Sequence, residues 1–468
     1  MRKPNVLFIL ADDQRYDTIH ALGNKQIKTP NLDKLVEKGV AFSHAHIPGG
    51  TSGAVCMPSR AMIHSGRTLF HLYGNAGEEI PVEHITMGQC FKENGYQTIG
   101  IGKWHNGTES YQRSFNNGDN IFFGGMWDHW NVPVCIYHED GIYNKTANFT
   151  PDFFHANHPM EMICDKLNVG VHSTDLFTDT ALTFLEKKHD KPFFMYLSYL
   201  APHDPRTMPE EFRKMYSADD IDLPENFLTE HPFYYGVGEM RGETRDEDLA
   251  SYPRSEMEVK QHIADYYGMI SHIDYNIGRL IDALEKSGEL ENTIIVFTGD
   301  NGLAIGRHGL MGKQNVYEHS IRVPLVMSGP GIQKGNITNN YVYLLDIYPT
   351  LCDVVGIEIP KSVEGLSFKP MLEGATDKTR NDLFFAYTNM IRGVKTEKYK
   401  LVEYRLERNC SQLFDLQNDP FEKVNLYHES QYREIVQEMK ALLQSYKSNW
   451  EDTTNHKYTK EFWDSVIL

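Results

Sequence analysis

The sequence predicts an α/β fold with a largely parallel central sheet. Short, continuously apolar runs alternate along the chain with longer amphipathic segments, as strands do when helical crossovers join them. Polar residues follow three of these apolar runs directly. In an open α/β sheet the carboxyl ends of the strands form the edge where ligands bind, so the sequence also predicts where the functional site lies.

The elements can be assigned in chain order. The run Asn5–Ala11 is apolar throughout, as in a strand covered on both faces. The segment Thr29–Gly39 indicates a short capped helix that a glycine ends. We expect, in order, a helix at Thr86–Asn94, a strand at Thr98–Ile101, a helix at Asp175–Lys188, a strand at Pro192–Leu200, a helix at Glu258–Lys286 and a strand at Thr293–Thr298.

A change of pattern near residue 376 predicts a second unit. Four short alternating segments with tight turns precede a final helix at about Gln431–Tyr446. The four are Leu383–Tyr387, Met390–Lys395, Tyr399–Tyr404 and Gln412–Asp415. We therefore predict a catalytic domain over residues 1–375 and a small C-terminal α+β subdomain with an antiparallel sheet over residues 376–468. The stretch Met126–Phe154 lacks periodicity and is rich in aromatic residues, which predicts a long ordered insertion.

Composition argues against several classes of function. The formal net charge of -18 disfavours nucleic acid or an anionic membrane as the main partner. No apolar run reaches the roughly 18 residues of a transmembrane helix. The start of the sequence leads directly into an apolar strand without the pattern of a signal peptide. The protein is therefore expected to be cytosolic, or periplasmic or secreted if a leader has been removed.

The sharpest local signal surrounds one cysteine. The six cysteines are scattered without the paired spacing of a disulfide framework or a zinc site. One of them begins the segment Cys56-Met57-Pro58-Ser59-Arg60, and Gly66-Arg67 follows. A buried structural thiol is the ordinary reading of an isolated cysteine. The surrounding pattern makes that reading unattractive here.

This pattern resembles the formylglycine signature of the sulfatase family. The resemblance extends over most of the chain, and further matching segments occur in the family's order: Asp12-Asp13, Gly102-Lys103-Trp104-His105, Ala201-Pro202-His203, Gly299-Asp300-Asn301-Gly302 and Gly312-Lys313. Ser65 stands where many members have threonine, which is a conservative departure. The resemblance implies an alkaline-phosphatase-like fold, sulfatase activity, and a maturation enzyme that oxidises Cys56 to formylglycine.

A metal site is predicted from the polar residues at two strand ends. Asp12, Asp13, Asp300 and Asn301 offer hard oxygen ligands, which suit calcium or magnesium, and bring no sulfur or imidazole for zinc. Either pair alone fits a helix cap equally well. Together with the cysteine segment they predict one metal site that includes modified residue 56. The resemblance favours Ca2+ over Mg2+.

The remaining catalytic roles follow from the demands of the reaction. The negative oxygens of a sulfate monoester must be neutralised, an oxygen nucleophile activated, and the leaving alcohol protonated. The resemblance implies that Arg60 and His105 orient the formylglycine hydroxyls. It also implies that Lys103 and Lys313 neutralise sulfate oxygens, and that His203 is the general acid.

Substrate-binding residues are predicted only from their positions. Asp204 and Arg206 directly follow His203, and Arg307 with His308 precedes Lys313, so both pairs are expected at the mouth of the site. The cluster at residues 127–130 fits stacking on sugar rings and fits an ordinary packed loop equally. These features predict a sulfated sugar or oligosaccharide, cleaved by exo action, over a simple aryl sulfate.

Two alternatives stay open. Phosphate or phosphonate monoester hydrolases of the same superfamily typically complete the metal site with Asp-His and bind a transition metal, whereas this chain has Asp300-Asn301. A non-catalytic sugar-binding relative would keep the fold without the chemistry. All the expected catalytic positions are filled here, which counts against that alternative.

Overall fold

The computed structural model describes residues 3–72, 78–150, 157–233, 245–375, 378–405, 409–452 and Trp463. The strands within these residues are β1 (Asn5–Ala11), β2 (Gly39–His46), β3 (Gly49–Gly50), β4 (Gln97–Lys103), β5 (Asn117–Phe122), β6 (Asn131–Val134), β7 (Thr146–Phe149), β8 (Met160–Ile163), β9 (Lys166–Val169), β10 (Phe193–Ser198), β11 (Thr293–Gly299), β12 (Arg322–Ser328), β13 (Asn336–Thr338), β14 (Val342–Tyr343), β15 (Asp382–Tyr387), β16 (Ile391–Thr396), β17 (Tyr399–Tyr404) and β18 (Cys410–Asp415). The helices are α1 (Pro30–Lys38), α2 (Cys56–Ser65), α3 (Met87–Glu93), α4 (Thr108–Ser114), α5 (Ser173–Leu185), α6 (Glu210–Arg213), α7 (Glu256–Lys286), α8 (Glu318–Ile321), α9 (Ile347–Val355), α10 (Lys369–Leu372) and α11 (Arg433–Asn449).

The central sheet is mostly parallel, which confirms the predicted fold class. Among the described residues its strands follow the order β13-β2-β12-β11-β1-β10-β4-β5, and β14 also pairs with β2. The neighbours from β11 to β5 are all parallel. Strand β12 alone runs antiparallel to both of its neighbours. The parallel half brings the carboxyl ends of β1, β10, β4 and β11 to one edge.

Strand β1 explains why its sequence is apolar without alternation. Successive side chains of a strand point to opposite faces of the sheet. Val6, Phe8 and Leu10 belong to the core on one face, and the side chains between them belong to the core on the other. Helices α2, α3 and α9 pack in the first core, and helices α1, α5 and α7 pack in the second. No helix in the described part of the chain is long and apolar enough to cross a membrane.

The C-terminal region forms an antiparallel sheet, as predicted. Strands β15 to β18 pair in sequence order, and α11 packs against β16 and β17. The sheet has a fifth strand, because β3 from the N-terminal part pairs parallel to β15. A domain boundary between residues 375 and 376 therefore stays a prediction, and residues 376–377 lie outside the described residues.

The predicted insertion contains regular structure. Strands β6 and β7 lie within Met126–Phe154 and pair with β9 and β8, which follow it. These strands were missed because each has only four residues, too few to show a period. Residues 151–154 of the stretch lie outside the described part.

Candidate active site at the sheet edge

The carboxyl ends of β1 and β11 place four predicted metal ligands side by side. Ala11 lies opposite Gly299 in the parallel register, so the residues that follow each strand are neighbours. The amide of Asp13 donates to Oδ1 of Asp300 at 3.0 Å. The side-chain amide of Asn301 donates to Oδ1 of Asp13 at 2.7 Å.

The donor set of these four residues fits a hard divalent cation. Each of Asp12, Asp13, Asp300 and Asn301 is at most 1% exposed. Among the described residues, Oδ1 of Asp12, Oδ2 of Asp13 and Oδ1 of Asn301 are buried oxygens without a hydrogen-bond partner. Buried oxygens left in this state are costly unless a ligand satisfies them. Ligand atoms of Asp12, Cys56 and Asp300 lie within 4.8 Å of one another, which places residue 56 at the same centre.

Cys56 is held at the first position of helix α2. The side chain of Ser59, in the same turn, donates to the carbonyl oxygen of Asp300 at 2.6 Å, which fixes the helix start against the sheet edge. The Sγ atom lies 3.5 Å from Nδ1 of His105 and 3.6 Å from Nζ of Lys103. Burial raises the pKa of the Cys56 thiol, so the thiol itself is a poor nucleophile in this setting.

Two lysines supply positive charge around residue 56. Nζ of Lys103 donates to Oδ2 of Asp12 and to the carbonyl oxygen of Gly125. Nζ of Lys313 donates to Oδ1 of Asp13 at 2.5 Å. Burial opposes the charge of Lys313, but the neighbouring carboxylates, led by Asp13, raise its pKa well above the usual value. Lys313 is therefore an ammonium ion next to the predicted metal ligands.

Two histidines of this site differ in their surroundings. Burial and the nearby charges of Lys103 and Arg60 hold the pKa of His105 well below its usual value, so His105 is neutral. His203 donates from Nδ1 to the carbonyl oxygen of Asp204 at 2.8 Å. Its Nε2 atom lies 3.6 Å from Oδ2 of Asp13, so this nitrogen faces the centre of the site.

Arg60 contacts a predicted metal ligand directly. Its Nε donates to Oδ2 of Asp300 at 2.8 Å, and its Nη1 donates to Oγ of Ser198 and to the carbonyl oxygen of Lys103. Nη2 lies 3.6 Å from Oδ2 of Asp12. The guanidinium group thus ties α2, β4, β10 and the end of β11 together. It positions the carboxylates around residue 56.

A cavity of about 330 Å³ opens over this centre. It is lined by Gly53, Ala54, Cys56, His105, Gly125, Met126, His203, Arg245, Asp246, Lys313 and Gln314. Five of the six predicted catalytic positions come together here: four line the cavity, and Lys103 lies beneath it, against Cys56.

The predicted substrate-binding residues are not among those that line the cavity. Arg307 pairs with Asp17 at 2.5 Å, and His308 stacks on Tyr317 with ring centroids 4.0 Å apart. Neither side chain is among those that line this cavity, and a role of Arg307 and His308 in substrate binding stays a prediction. They precede Lys313 in sequence, but Arg307 contacts Asp17 and Asn226 instead.

Asp204 and Arg206 lie behind the cavity wall. Both carboxylate oxygens of Asp204 accept hydrogen bonds from Arg245, which does line the cavity. Arg206 donates from Nη1 to Nδ1 of His262 at 2.7 Å. Asp204 therefore acts on the cavity indirectly, by holding Arg245 in the cavity wall.

The aromatic cluster at residues 127–130 is a packed loop in this structure. His129 donates from Nε2 to the carbonyl oxygen of His203 at 3.0 Å, and Trp127 packs on Phe149. Met126, the residue just before the cluster, does line the cavity.

Sequence reasoning missed Arg245, Asp246 and Gln314. The run of charged residues that begins at Arg245 follows no apolar strand and no motif, so its pattern is that of a solvated turn. Gln314 directly follows the predicted Lys313, and that adjacency was the available signal.

Comparison with known proteins agrees with this arrangement. The sulfatase family profile matches residues 4–357. The chain belongs to the sulfatase family. A second profile, the C-terminal region of N-sulphoglucosamine sulphohydrolase, matches residues 306–449 of this sulfatase.

Curated relatives align with this sulfatase over nearly its whole length. An arylsulfatase of Clostridium perfringens is 30% identical over 94% of the chain and 94% of its own length. An N-acetylglucosamine-6-O-sulfatase of Bacteroides thetaiotaomicron is 27% identical over 96% of the chain and 87% of its own. The protein is therefore a sulfuric ester hydrolase.

Solved structures share its fold. One, described in complex with its substrate D-glucosamine-2-N,6-O-disulfate, has a TM-score of 0.76 and 25% identity, and the match covers 97% of this chain and 99% of the other. A phosphonate monoester hydrolase of Agrobacterium radiobacter has a TM-score of 0.74 at 21% identity, covering 96% of both chains, which shows the fold alone.

Proposed function

We propose that this sulfatase removes sulfate from the terminal unit of a sulfated carbohydrate, with formylglycine at position 56 and a bound calcium ion. The observation that carries the proposal is the convergence of four oxygen-bearing side chains, two lysines and two histidines on Cys56 at the floor of one cavity. A maturation enzyme must first oxidise Cys56. The hydrated aldehyde would then supply the oxygen nucleophile that a thiol cannot.

Asp12, Asp13, Asp300, Asn301 and modified residue 56 would hold the calcium ion. When bound, the ion supplies Lewis-acid stabilisation of negative oxygens. The three partnerless buried oxygens support this ligand set. An all-oxygen set of side chains suits calcium, while magnesium keeps more of its water.

Lys103 and Lys313 neutralise the sulfate oxygens. Both ammonium groups are buried, so their charge acts in a medium of low dielectric, where a fixed charge stabilises a developing anion more than it does in water. Neutral His105, 3.5 Å from Cys56 Sγ, is placed to take a proton from residue 56.

His203 protonates the leaving alcohol. Its Nδ1–H is committed to the carbonyl oxygen of Asp204, which leaves Nε2 as the nitrogen that faces the cavity. The carboxylates of Asp13 and Asp204 lie 3.6 Å and 3.3 Å from its ring nitrogens, which fixes the orientation of the ring. A positioned acid of this kind typically contributes about 10²–10⁴-fold to the rate.

The sugar part of the proposal rests on the relatives and on the shape of the cavity. One relative is an N-acetylglucosamine-6-O-sulfatase and another is an ulvan-active sulfatase of Formosa agariphila. The cavity, at about 330 Å³, is at the small end of the roughly 300–1,000 Å³ that ligand pockets occupy. A small cavity favours one terminal sugar unit over an internal segment of a long chain.

The test is a turnover assay on protein made together with a maturation enzyme. Substrates are 4-nitrophenyl sulfate, 4-nitrophenyl phosphate and a set of defined sulfated mono- and disaccharides. We expect the highest kcat/KM on one sulfated saccharide and little phosphate hydrolysis. A chelator should abolish turnover, and added calcium should restore it. Phosphate hydrolysis above sulfate hydrolysis, or full activity after complete removal of metal, would overturn the proposal.

A further inference from the structure

Arg245 and Asp246 form a stretch of cavity wall that the sulfate chemistry does not use. They begin the short 3-10 turn Arg245–Leu249 and line the cavity together with His203 and Lys313. Arg245 donates to Asp204, which directly follows the proposed general acid His203. This part of the wall therefore lies on the side of the leaving alcohol.

The guanidinium group of Arg245 is held in place but keeps donors available. It forms two bonds to Asp204, one of them 3.0 Å long, and donates to Oδ1 of Asp246 at 2.7 Å. These contacts among the described residues use three of the five N–H donors of an arginine. The side chain is 41% exposed, so the other donors can reach a ligand.

Asp246 offers a fixed acceptor beside this donor. Its Oδ2 accepts from Nε2 of Gln314 at 2.9 Å, while Oδ1 accepts from Arg245. Burial alone would raise its pKa, but Lys313, His203 and Arg245 lower it below the usual value, so Asp246 is a carboxylate. Each carboxylate oxygen can accept a further hydrogen bond.

The charge of this wall argues against a second anionic group on the substrate. The guanidinium of Arg245 is shared between two carboxylates, Asp204 and Asp246, so its positive charge is already matched. A second sulfate or a carboxylate of the substrate would be repelled by Asp246, and Arg245 is already paired with carboxylates of the protein. A hydroxyl both donates and accepts, which matches a carboxylate next to a guanidinium.

We propose that Arg245 and Asp246 bind the free hydroxyl nearest to the sulfate ester, so that the enzyme prefers a sugar unit in which that hydroxyl is unsubstituted. This specificity site rests on the proposed sulfatase activity on sugars and gives it a chemical preference. Asp204 and Gln314 are positioning residues, which act by holding Arg245 and Asp246.

The experiment uses matched substrates. Methyl galactoside and methyl N-acetylglucosaminide, each sulfated at one position, identify the best substrate of the mature protein. Two analogues of that substrate follow: one lacks the hydroxyl nearest to the ester, and the other has it sulfated. We expect kcat/KM to fall about 10- to 100-fold for the deoxy analogue, as the loss of one or two well-placed hydrogen bonds predicts, and at least as far for the disulfate.

Variants connect this preference to the two residues. Arg245→Ala and Asp246→Asn should each lower kcat/KM on the sugar sulfate by about 10- to 100-fold, and by much less on 4-nitrophenyl sulfate. Each should also shrink the difference between the parent sugar and its deoxy analogue. Arg279→Ala is the matched control, because Arg279 pairs with Asp179 on helix α5, outside the cavity lining. It should change none of these values.

Three results would overturn the inference while leaving the sulfatase proposal intact. The disulfate could be the better substrate, the deoxy analogue could be cleaved as fast as its parent, or the variants could lose sugar and aryl activity equally. If the mature protein cleaves no sulfate ester at all, including 4-nitrophenyl sulfate, the proposed function itself fails.

Discussion

At the scale of single residues, the proposed chemistry depends most on position 56. Because a thiol has no carbonyl group that water could add to, turnover should rise in proportion to the fraction of Cys56 that has become formylglycine. Mass spectrometry of the peptide that contains Cys56 measures this fraction, because replacing CH2SH by CHO lowers the mass of the peptide. Full turnover by protein whose cysteine is unmodified would contradict the mechanism.

Two substitutions separate the chemistry of position 56 from its packing. Cys56→Ala should fold normally and be inactive, since a methyl group fits the space and provides no nucleophile. Cys56→Ser should keep binding of the sugar sulfate with little turnover, if the maturation enzyme does not act on serine. Calorimetric titration with the sulfated sugar distinguishes lost binding from lost turnover.

Residue-level prediction succeeded where a residue stands next to a motif at a strand end. Asp12, His203 and Asp300 were placed correctly at the sheet edge because parallel strands bring their ends together whatever the loops do. Arg307 was expected at the mouth from distance along the chain alone, and it is not among the residues that line the cavity. Arg245 was missed because its role depends on a contact with Asp204, across 41 positions of sequence.

At the scale of whole elements, helix α7 stabilises the turn that contains the proposed metal ligands Asp12 and Asp13. The hydroxyl of Tyr266 donates to the carbonyl oxygen of Asp13 at 2.6 Å and accepts from the amide of Arg15 at 2.8 Å. Asp13 has a φ of 68°, in the left-handed region that residues other than glycine seldom adopt. The tyrosine thus fixes a strained residue from the opposite side of the ligand set.

Tyr266→Phe should therefore weaken metal binding without removing a ligand. We expect the calcium concentration for half-maximal activity to rise about tenfold or more, as outer-shell changes commonly cause. Calcium titration of chelated protein, followed by calorimetry and by activity, measures this. Tyr267→Phe on the same helix is the control, because that hydroxyl accepts from Asn24 instead. Equal shifts in both variants would mean that α7 acts only through packing.

The same helix caps α1. Oδ1 of Asp274 accepts from the amides of Asn31 and Leu32 at 3.0 Å and 2.7 Å, which satisfies donors at the start of α1 that have no partner within the helix. Asp274→Ala should lower the free energy of unfolding by about 1–3 kcal/mol. Urea unfolding followed by circular dichroism measures the loss. Exposed Asp282→Ala, further along α7, should leave the midpoint unchanged.

Long elements with a clear period were predictable, and short or irregular ones were not. Helix α7 was expected at Glu258–Lys286 and spans Glu256–Lys286. Its apolar face repeats over many turns, so the signal accumulates. Strands β2 and β12, which form the antiparallel part of the central sheet, were not assigned, because their pairing partners are fixed only by the tertiary fold.

At the scale of the whole molecule, one buried carboxylate joins the two sheets. Glu318, just before β12, accepts from Nζ of Lys395 on β16 at 2.7 Å and from Nζ of Lys400 on β17 at 3.3 Å. Its side chain is 6% exposed. Although burial alone would raise its pKa, the two lysines hold the pKa of Glu318 well below its usual value. The carboxylate is therefore charged in the folded protein.

Glu318→Gln should lower the free energy of unfolding by about 3–5 kcal/mol, because it leaves the buried ammonium group of Lys395 without its carboxylate partner, whereas Lys400 keeps Glu422. The folded-state pKa lies below the unfolded value, so this stabilisation is present above about pH 4.5 and is lost as the pH falls further. The gap between the urea midpoints of wild type and variant should narrow in acid. Adding Lys395→Met to the variant should recover part of the lost free energy of unfolding. A difference in urea midpoint that does not change with pH would contradict a charged Glu318 in the folded protein.

The central position of β1 in the sheet determines when, during synthesis, the sheet edge around Cys56 can form. Val6 lies opposite Phe194 on one side and Ile294 on the other, so β1 leaves the ribosome well before it can pair with both of its neighbours, β10 and β11. Cys56 is 3% exposed in the folded protein, and the start of its helix is attached to the carbonyl oxygen of Asp300. Cys56 can therefore become buried only after residue 300 has been synthesised. At about 5–20 residues per second, synthesis of the intervening chain takes on the order of ten to fifty seconds. The proposed maturation enzyme would have that interval to reach position 56 before the sheet edge forms and buries it.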